Sequence, residues 1–250
     1  PELRRRVDRL VRAVRAGRVR RLRRQPDGED LDLDAVIDAE VGVAAGEMPD
    51  ARVYRRYLPG ARDLATLVLI DVSESTRHSG VLDRERQAVA LLGGAIAQVG
   101  DPFALMAFAS DGRAHVRLTR VKDFTDPFGV EQRARLAGLK PGLSTRLGAA
   151  LRHAGAEIAS VRSFRRLVLV LTDAEPSDVD VPDPADLLED SRRAAFALRA
   201  RGIDTFGVVP RADGAEQASR IFGPASFAVL PRLEDLPARL SDLYFRLSRR

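Results

Sequence analysis

Three oxygen-bearing side chains follow the most regular apolar run in the first half of the sequence. Residues 65–70 are apolar apart from one threonine, and Asp71, Ser73 and Ser75 come directly after them. This pattern predicts a buried strand that ends in polar side chains, at the edge where open α/β sheets place their sites. Alternate residues point to one side of an extended backbone, so the three oxygens can converge. A carboxylate with two hydroxyls suits Mg²⁺ or Mn²⁺ and is unsuited to Zn²⁺ or copper.

Two later segments supply further oxygens of the same kind. Ser144 and Thr145 precede a predicted helix, and Asp173 follows residues 167–171, the most apolar strand candidate of the chain. If this strand lies beside the one that ends at Asp71, the winding of the sheet reverses between them and the three segments share one crevice. Oxygens from three loops can then hold Mg²⁺ and leave one position for an outside ligand. An acidic side chain of a partner protein is the natural occupant, because only two carboxylates offset the charge of the ion.

The elements that must position these residues alternate regularly from residue 62 onward. This alternation predicts an α/β fold: a doubly wound, mostly parallel sheet with one antiparallel edge strand. Besides the opening strand, we expect strands at 103–108, 114–119, 167–171, 204–209 and 226–230, and helices at 82–99, 129–139, 146–160, 184–201, 214–221 and 233–248.

The first 61 residues have a different character, and we divide the chain into an N-terminal segment, 1–61, and a domain, 62–250. Apolar residues at helical spacing among arginines predict an amphipathic basic helix over residues 2–24, which gives the fold an N-terminal helical extension. A short helix through about residue 43 and an edge strand at 52–58 follow. Because the sequence begins at Pro1 and not at Met, we expect it to be a fragment of a longer chain.

Composition narrows the classes of function. The 250 residues are 45% hydrophobic and contain no cysteine, which excludes disulfides, thiolate zinc sites and cysteine nucleophiles and fits a cytoplasmic protein. No apolar run approaches the roughly 20 residues that cross a bilayer. Residues 1–25 contain eleven arginines and two acids, so the net charge of +5 comes from this segment and the rest of the chain is mildly acidic.

The three segments together resemble a von Willebrand factor A domain with a metal-ion-dependent adhesion site. Asp71, Ser73 and Ser75 match the first motif of that family, Thr145 the second and Asp173 the third. The resemblance covers about residues 62–247 and implies a noncatalytic recognition domain that binds Mg²⁺ or Mn²⁺. Ser144 is the alternative to Thr145 as a ligand, and the position of Gly148 favours Thr145. Ala174 stands where the family often has glycine, which we expect to stiffen the loop.

Within that superfamily, the sequence resembles the carboxy-terminal region of the CbbO/NorD family. The resemblance lies in residues 28–35, residues 71–76 and residues 206–210. It implies an adaptor that works with a MoxR-type AAA+ ATPase, CbbQ or NorQ, on a target: rubisco for CbbO and nitric oxide reductase for NorD. It does not choose between the two targets, or between target and ATPase as the source of the acidic ligand.

Two alternatives belong to other classes. A metal-dependent hydrolase with an aspartyl nucleophile requires a second acid where Ser73 stands, and the sequence has neither a phosphate-binding G-x-x-x-x-G-K-[ST] loop nor a G-x-S-x-G elbow. Gly93 and Gly94 lie inside a predicted helix and indicate close packing. A nucleic-acid-binding protein would use the Arg-rich segment, but no aromatic residues interleave with these arginines to stack on bases.

Overall fold

The computed structural model describes residues 19–59, 64–77, 81–232 and 235. These residues fall into two compact units, one containing residues 19–59 and the other residues 64–232 and 235. The final helix expected at 233–248 lies outside the described residues, apart from position 235. None of the helices in the described part of the chain is long and apolar enough to cross a membrane.

The smaller unit is an antiparallel sheet with one helix. Strands β1 (Val19–Gln25), β2 (Asp30–Leu31) and β3 (Tyr54–Pro59) pair in the order β1-β3-β2, and helix α1 (Leu33–Ala44) connects β2 to β3. Asp32 follows β2, and its solvent-inaccessible carboxylate bonds Arg23 of β1 at 2.8 Å and Arg55 of β3 at 2.9 Å. The hydrogen bonds from Arg23 hold the pKa of Asp32 below its usual range. One carboxylate therefore links all three strands.

Two predictions for the N-terminal segment are wrong in this unit. The basic helix was predicted to include residues 19–24, but these residues belong to a strand, because their backbone pairs with β3. Arg23 and Arg24 bond Asp32 at the start of α1 and Asp38 within α1. The strand predicted at 52–58 exists as β3, but it is the central strand of the sheet, where an edge strand was expected. Residues 2–18 of the predicted helix lie outside the described residues.

The larger unit has the predicted architecture, a mostly parallel sheet with an antiparallel edge. Its six strands follow the order β6-β5-β4-β7-β8-β9, and only β5 and β6 pair antiparallel. The strands are β4 (Leu64–Asp71), β5 (Phe103–Ser110), β6 (Val116–Lys122), β7 (Arg165–Leu171), β8 (Ile203–Val209) and β9 (Phe227–Val229). The helices are α2 (Val81–Val99), α3 (Val130–Ala137), α4 (Leu147–Ala159), α5 (Pro184–Ala200) and α6 (Ala215–Phe222).

Helices cover both faces of this sheet, which explains why its central strands are almost entirely apolar. Every residue of β4 and β5 is buried. Ala65, Leu67 and Leu69 pack with α4, α5 and α6 on one face, whereas Val68 and Ile70 pack with α2 and α3 on the other. A strand buried on both sides cannot alternate apolar and polar residues.

Two adjacent glycines of α2 differ in their surroundings. A Cβ atom on Gly93 would lie 2.8 Å from the Phe128 ring, which is itself held edge-on against Phe103 at 5.6 Å between centroids. A Cβ atom on Gly94 would meet no atom within 4 Å. Gly93 is therefore the close-packing point that the sequence suggested, and Gly94 is not.

These surroundings predict opposite effects of the same substitution. We expect Gly94→Ala to raise the free energy of unfolding by about 0.5–1 kcal/mol, because alanine favours the helix. Gly93→Ala should lower it, because displacing the Phe128 ring costs about 1–3 kcal/mol. Thermal and urea unfolding of the two variants measures both effects. Equal stabilisation by the two alanines would contradict the packing of Phe128 on α2.

Candidate functional site

The site lies where the winding of the large sheet reverses. β4 pairs in parallel with β5 on one side and with β7 on the other. The chain builds β5 and β6 on one side of β4 and then crosses to β7, so the crevice at the carboxyl ends of β4 and β7 is the switch point of the sheet. Asp71 ends β4, and Asp173 comes two residues after the end of β7. The predicted adjacency of these two strands is confirmed.

The carboxylate of Asp71 is fully buried and surrounded by donors. Its Oδ1 accepts a hydrogen bond of 2.9 Å from the Ser73 backbone N–H, and its Oδ2 accepts one of 2.8 Å from the Thr172 hydroxyl. The Thr145 hydroxyl lies 3.4 Å from both oxygens. Side chains from the loops after β4 and β7 and from the segment before α4 thus meet at one carboxylate.

Ser73 and Ser75 sit on a tight turn directly after β4. Their hydroxyl oxygens lie 2.9 Å apart, so the two side chains face the same way, as the alternation predicts. Residues 74–76 form one 3₁₀ turn, which the Thr76 hydroxyl closes by donating to the Ser73 carbonyl at 2.7 Å. The backbone N–H of Glu74 donates to the Leu143 carbonyl at 2.9 Å. This bond ties the turn to the segment that carries Thr145.

The structure separates the roles of Ser144 and Thr145. The backbone of Ser144 pairs with that of Ser110, through bonds of 2.7 and 2.8 Å, and so anchors the segment to the end of β5. Thr145 pairs through its backbone with Ser177 and is 2% exposed, with its hydroxyl directed at Asp71. The geometry therefore favours Thr145 as the hydroxyl of the site.

Asp173 places a second carboxylate close to that of Asp71. Asp173 is partly exposed, and its Oδ1 accepts from the Glu175 backbone N–H at 3.1 Å. Burial, and then the charge of Asp173, raise the pKa of Asp71 to about 7. The two carboxylates therefore repel each other, and a cation between them would relieve the repulsion.

Strained backbone flanks two of the candidate ligands. Leu143, two residues before Thr145, has φ of +69°, and Ala174, directly after Asp173, has φ of +65°. Left-handed conformations cost a side-chain-bearing residue roughly 1–2 kcal/mol. Such strain clusters at functional sites, where the surrounding structure imposes the conformation.

Comparison with known proteins agrees with this geometry. Residues 66–175 match the family model of the von Willebrand factor type A domain. These residues form a von Willebrand factor type A domain. Asp71, Ser73, Ser75, Thr145 and Asp173 all lie within it.

Relatives of known name match almost the whole chain. Protein NorD of Brucella melitensis is 42% identical over 98% of this chain, and protein NorD of Stutzerimonas stutzeri is 34% identical over 84% of it. The chain spans 39% and 35% of the length of these two relatives. Among solved structures, the vWF domain of the type V pili tip protein Mfa5 from Porphyromonas gingivalis has a TM-score of 0.59 at 10% identity, covering 73% of this chain and 95% of that one. That likeness supports the fold alone.

Two residues of the von Willebrand factor type A domain escaped the sequence analysis. Thr172 bonds Asp71 and also accepts a hydrogen bond of 3.1 Å from the Ala174 N–H, so it orders the loop that carries Asp173. The sequence indicates this role of Thr172 through its position, as a hydroxyl residue directly before Asp173. Glu85 is 1% exposed near the start of α2. The sequence indicates its burial through spacing: Glu85 lies three residues after Leu82 and four before Val89, so it shares the helix face that packs against the sheet.

Other acids near the site have structural roles. Asp178 accepts from the Gly112 N–H and from Arg146, both at 2.8 Å, and joins the β5–β6 turn to the start of α4. Burial raises the pKa of Asp178, but these hydrogen bonds together outweigh burial and bring the pKa below its usual value. Glu74 pairs with Arg77 at 2.9 Å. Asp183, which the sequence analysis did not consider, caps α5 by accepting from the Ala185 N–H at 2.9 Å.

The donor set of the domain fits a hard divalent cation. Its five side chains offer only carboxylate and hydroxyl oxygens, which Mg²⁺ and Mn²⁺ prefer and Zn²⁺ does not. Within the part of the chain that the structure describes, no group of three or more His, Cys, Asp or Glu side chains could hold a metal ion. Hydroxyls must therefore complete any coordination at this site.

The raised pKa of Asp71 predicts the pH dependence of stability without divalent cations. The pKa is about 7 in the fold, against roughly 4 in an unfolded chain, so the fold binds more protons between these values. Stability should therefore rise as the pH falls from about 8 to about 5. The pKa of Glu85 is also raised, by burial and then by the charges of Asp71 and Asp173, and contributes with the same sign. The carboxylates with lowered pKa values act oppositely, below about pH 4.

Thermal unfolding in EDTA over this pH range measures the effect. The Asp71→Asn variant lacks the titrating group, and its profile should be flatter than that of the wild type. A wild-type chain whose cation-free melting temperature falls as the pH is lowered from 8 to 5 would contradict the assignment.

A glycine outside the three motifs predicts a positioning effect on the site. A Cβ atom on Gly214 would lie 2.2 Å from the Asp173 carbonyl oxygen and 2.8 Å from a methyl of Val209. We expect Gly214→Ala to displace the Asp173 loop and to weaken Mg²⁺ binding about 10- to 100-fold, although it removes no oxygen. Titration calorimetry with Mg²⁺ measures this, and Gly94→Ala is the matched control. Unchanged Mg²⁺ affinity in Gly214→Ala would show that the contact of Gly214 with the Asp173 loop does not affect metal binding.

Proposed function

We propose that this domain is a noncatalytic, metal-dependent protein-recognition module. In this proposal Asp71, Ser73, Ser75, Thr145 and Asp173 hold one Mg²⁺ or Mn²⁺ ion, as the metal-ion-dependent adhesion site of the family does. The observation that carries the proposal is the meeting of three loops at the buried Asp71 carboxylate, through the Ser73 backbone N–H and the hydroxyls of Thr145 and Thr172. The mutual repulsion of Asp71 and Asp173 is the charge that such an ion would neutralise.

The bound ion supplies a Lewis acid with a free coordination position. The two carboxylates of the site balance its charge, and the hydroxyls of Ser73, Ser75 and Thr145 are neutral ligands. Because three of the five ligands are neutral hydroxyls, the ion would remain a stronger Lewis acid than in a set made of carboxylates and could accept one more carboxylate from an acidic residue of a partner. The chain's own residues orient the ion, and the partner completes its coordination.

We further propose that the chain belongs to an adaptor for a MoxR-type AAA+ ATPase of the NorQ type. The similarity to NorD proteins over almost all of its length supports this assignment, with nitric oxide reductase as the target. Rubisco, the target implied by a CbbO-like protein, has less support because the named relatives are NorD proteins. These 250 residues contain no G-x-x-x-x-G-K-[ST] loop, so in this proposal they recruit the ATPase and do not hydrolyse ATP themselves.

Three described arginines of the N-terminal segment are paired with acids of the small unit, and these three do not support nucleic-acid binding. Arg23 bonds Asp32 and Asp34, Arg24 bonds Asp38, and Arg55 shares Asp32. Their charges are balanced within the small unit, which leaves little excess charge for phosphates.

The proposal predicts that removing either carboxylate of the site abolishes adaptor activity while the fold survives. Asp71→Ala and Asp173→Ala, placed in the full-length protein, should lose Mg²⁺ binding and fail to support nitric oxide reductase activity in cells that lack the native adaptor. Asp186→Ala, which removes an exposed acid of α5, is the matched control and should behave as the wild type. Circular dichroism establishes that each variant is folded.

Two outcomes would overturn this proposal. Full support of the reductase by both variants would remove the metal site from the mechanism. Mg²⁺-dependent turnover of phosphoester or nucleotide substrates by the wild-type chain, lost in Asp71→Ala, would favour the hydrolase interpretation.

A further inference from the structure

A small acidic pocket opens beside the proposed cation site. Its volume is about 120 Å³, and Ser75, Glu85, Asp173, Glu175, Arg211 and Asp213 line it. We refer to it as the acidic pocket. Ser75 and Asp173 belong to both the cation site and the acidic pocket, so a segment that reaches the ion also passes this opening.

Glu85 is the unusual member of the acidic pocket. It is 1% exposed, and neither oxygen of its carboxyl group has a hydrogen-bond partner among the described residues. Leaving a buried polar group unsatisfied costs about 1–3 kcal/mol, and more when the group is charged. The neighbouring positions on this face of α2, Leu82 and Val89, are apolar. An apolar residue at position 85 would therefore stabilise the fold, and the carboxyl group needs a partner that enters through the pocket.

The charge of the acidic pocket selects the kind of partner. Arg211 already pairs with Asp213. A cation held by Asp71 and Asp173 would balance those two carboxylates, and the charge of Arg211 also acts on Glu175. Glu85 remains the carboxyl group of the pocket wall that has no hydrogen-bond partner among the described residues. An anionic or apolar occupant would leave the buried Glu85 carboxyl group unsatisfied. An occupant with positive charge and several N–H donors can bond Glu85 and also interact with the exposed Glu175 carboxylate.

A second metal ion fits this pocket less well than an organic cation. In the described residues no group of three or more carboxylates or imidazoles is arranged to hold a metal ion. An ammonium group has three donors and a guanidinium group has five, so either can bond carboxyl groups that are not arranged around one point.

We propose that the acidic pocket binds the Lys or Arg side chain of a partner segment whose acidic residue ligates the cation. The recognised sequence is thus a pair, an acidic residue with a basic residue close to it in the chain. The acidic residue supplies the ligand of the ion, and the basic residue bonds Glu85. This inference rests on the proposed function in one respect, that the partner is a protein segment with an acidic residue on the ion. The affinity of the acidic pocket for an organic cation does not depend on the proposed function.

The first test examines the acidic pocket without a metal ion. The chain is labelled with ¹³C at the glutamate carboxyl carbons and titrated with propylguanidinium, with neutral propylurea as the matched probe. Glu85→Gln identifies the Glu85 signal by its loss. We expect propylguanidinium to shift this signal and propylurea to leave it unchanged. No shift, or equal shifts with the two probes, would overturn the assignment of the pocket whatever the metal site does.

The second test examines the pair of residues. Short peptides with one fixed aspartate and varied neighbours are bound to the chain in Mg²⁺. We expect peptides with Arg or Lys near the aspartate to bind about tenfold more tightly than those with norleucine, and this preference to vanish in Glu85→Gln but not in the control Glu131→Gln. Mg²⁺-dependent binding without a basic preference would refute the pairing alone. Absence of any Mg²⁺-dependent binding would refute the proposed function and leave the first test to decide the pocket.

A third variant separates a recognition role from a structural one. Glu85→Leu should melt at a higher temperature than the wild type, because it removes an unsatisfied buried carboxyl group, and should lose the response to propylguanidinium. A large loss of stability in Glu85→Leu would show that the glutamate supports the fold, contrary to the proposal.

Discussion

The parallel pairing of β4 with β7 is the constraint on which the site depends. It brings two acids from distant parts of the sequence to the same edge of the sheet, Asp71 at the end of one strand and Asp173 just beyond the end of the other. Helices on both faces keep water away from this edge, so the Asp71 carboxylate is buried and its pKa is raised. The sheet thereby holds two negative groups close together at a cost to stability. A divalent cation is the simplest means of reversing that cost, because it binds the folded arrangement and not the unfolded chain.

Several unfavourable features of the large unit lie around this edge. Leu143 and Ala174 adopt left-handed backbone conformations, and Glu85 is buried without a partner. Away from the edge, the central strands are apolar and fully buried, and close contacts such as Gly93 with Phe128 have a plain packing reason. Each local cost is of the order of 1–3 kcal/mol, which burial of the apolar sheet can offset. This distribution is typical of a rigid framework that carries a strained binding site.

The sequence predicted correctly those parts of the fold in which the residue pattern suits one kind of secondary structure only. Residues 65–70 and 167–171 are continuous apolar runs ending near an acid, so their burial, direction and polar ends follow from composition alone. Residues 19–24 carry two competing signals, because arginines at this spacing suit a helix face and also a strand. The pairing with β3 decides between them, and it depends on residues 34 to 40 positions away in the sequence. Glu85 and Thr172 were missed for a related reason. Their importance lies in what surrounds them in space, and a lone glutamate on a helix is ordinarily solvated.

The acidic pocket bears on how such a site distinguishes one partner from another. Carboxylates are present on almost every protein surface, so a metal ion that needs one more carboxylate gives affinity without much choice. A second requirement, for a basic residue at a fixed distance from the acidic one, multiplies the discrimination, because a partner that lacks the basic residue leaves the buried Glu85 carboxyl group unpaired. The oxygens of the cation site come from the loops after β4 and β7 and the segment before α4, whereas Arg211 and Asp213 follow β8. Arg211 and Asp213 can therefore vary and change the choice of partner, whereas Gly214 of the same loop must be kept because it packs on the Asp173 backbone.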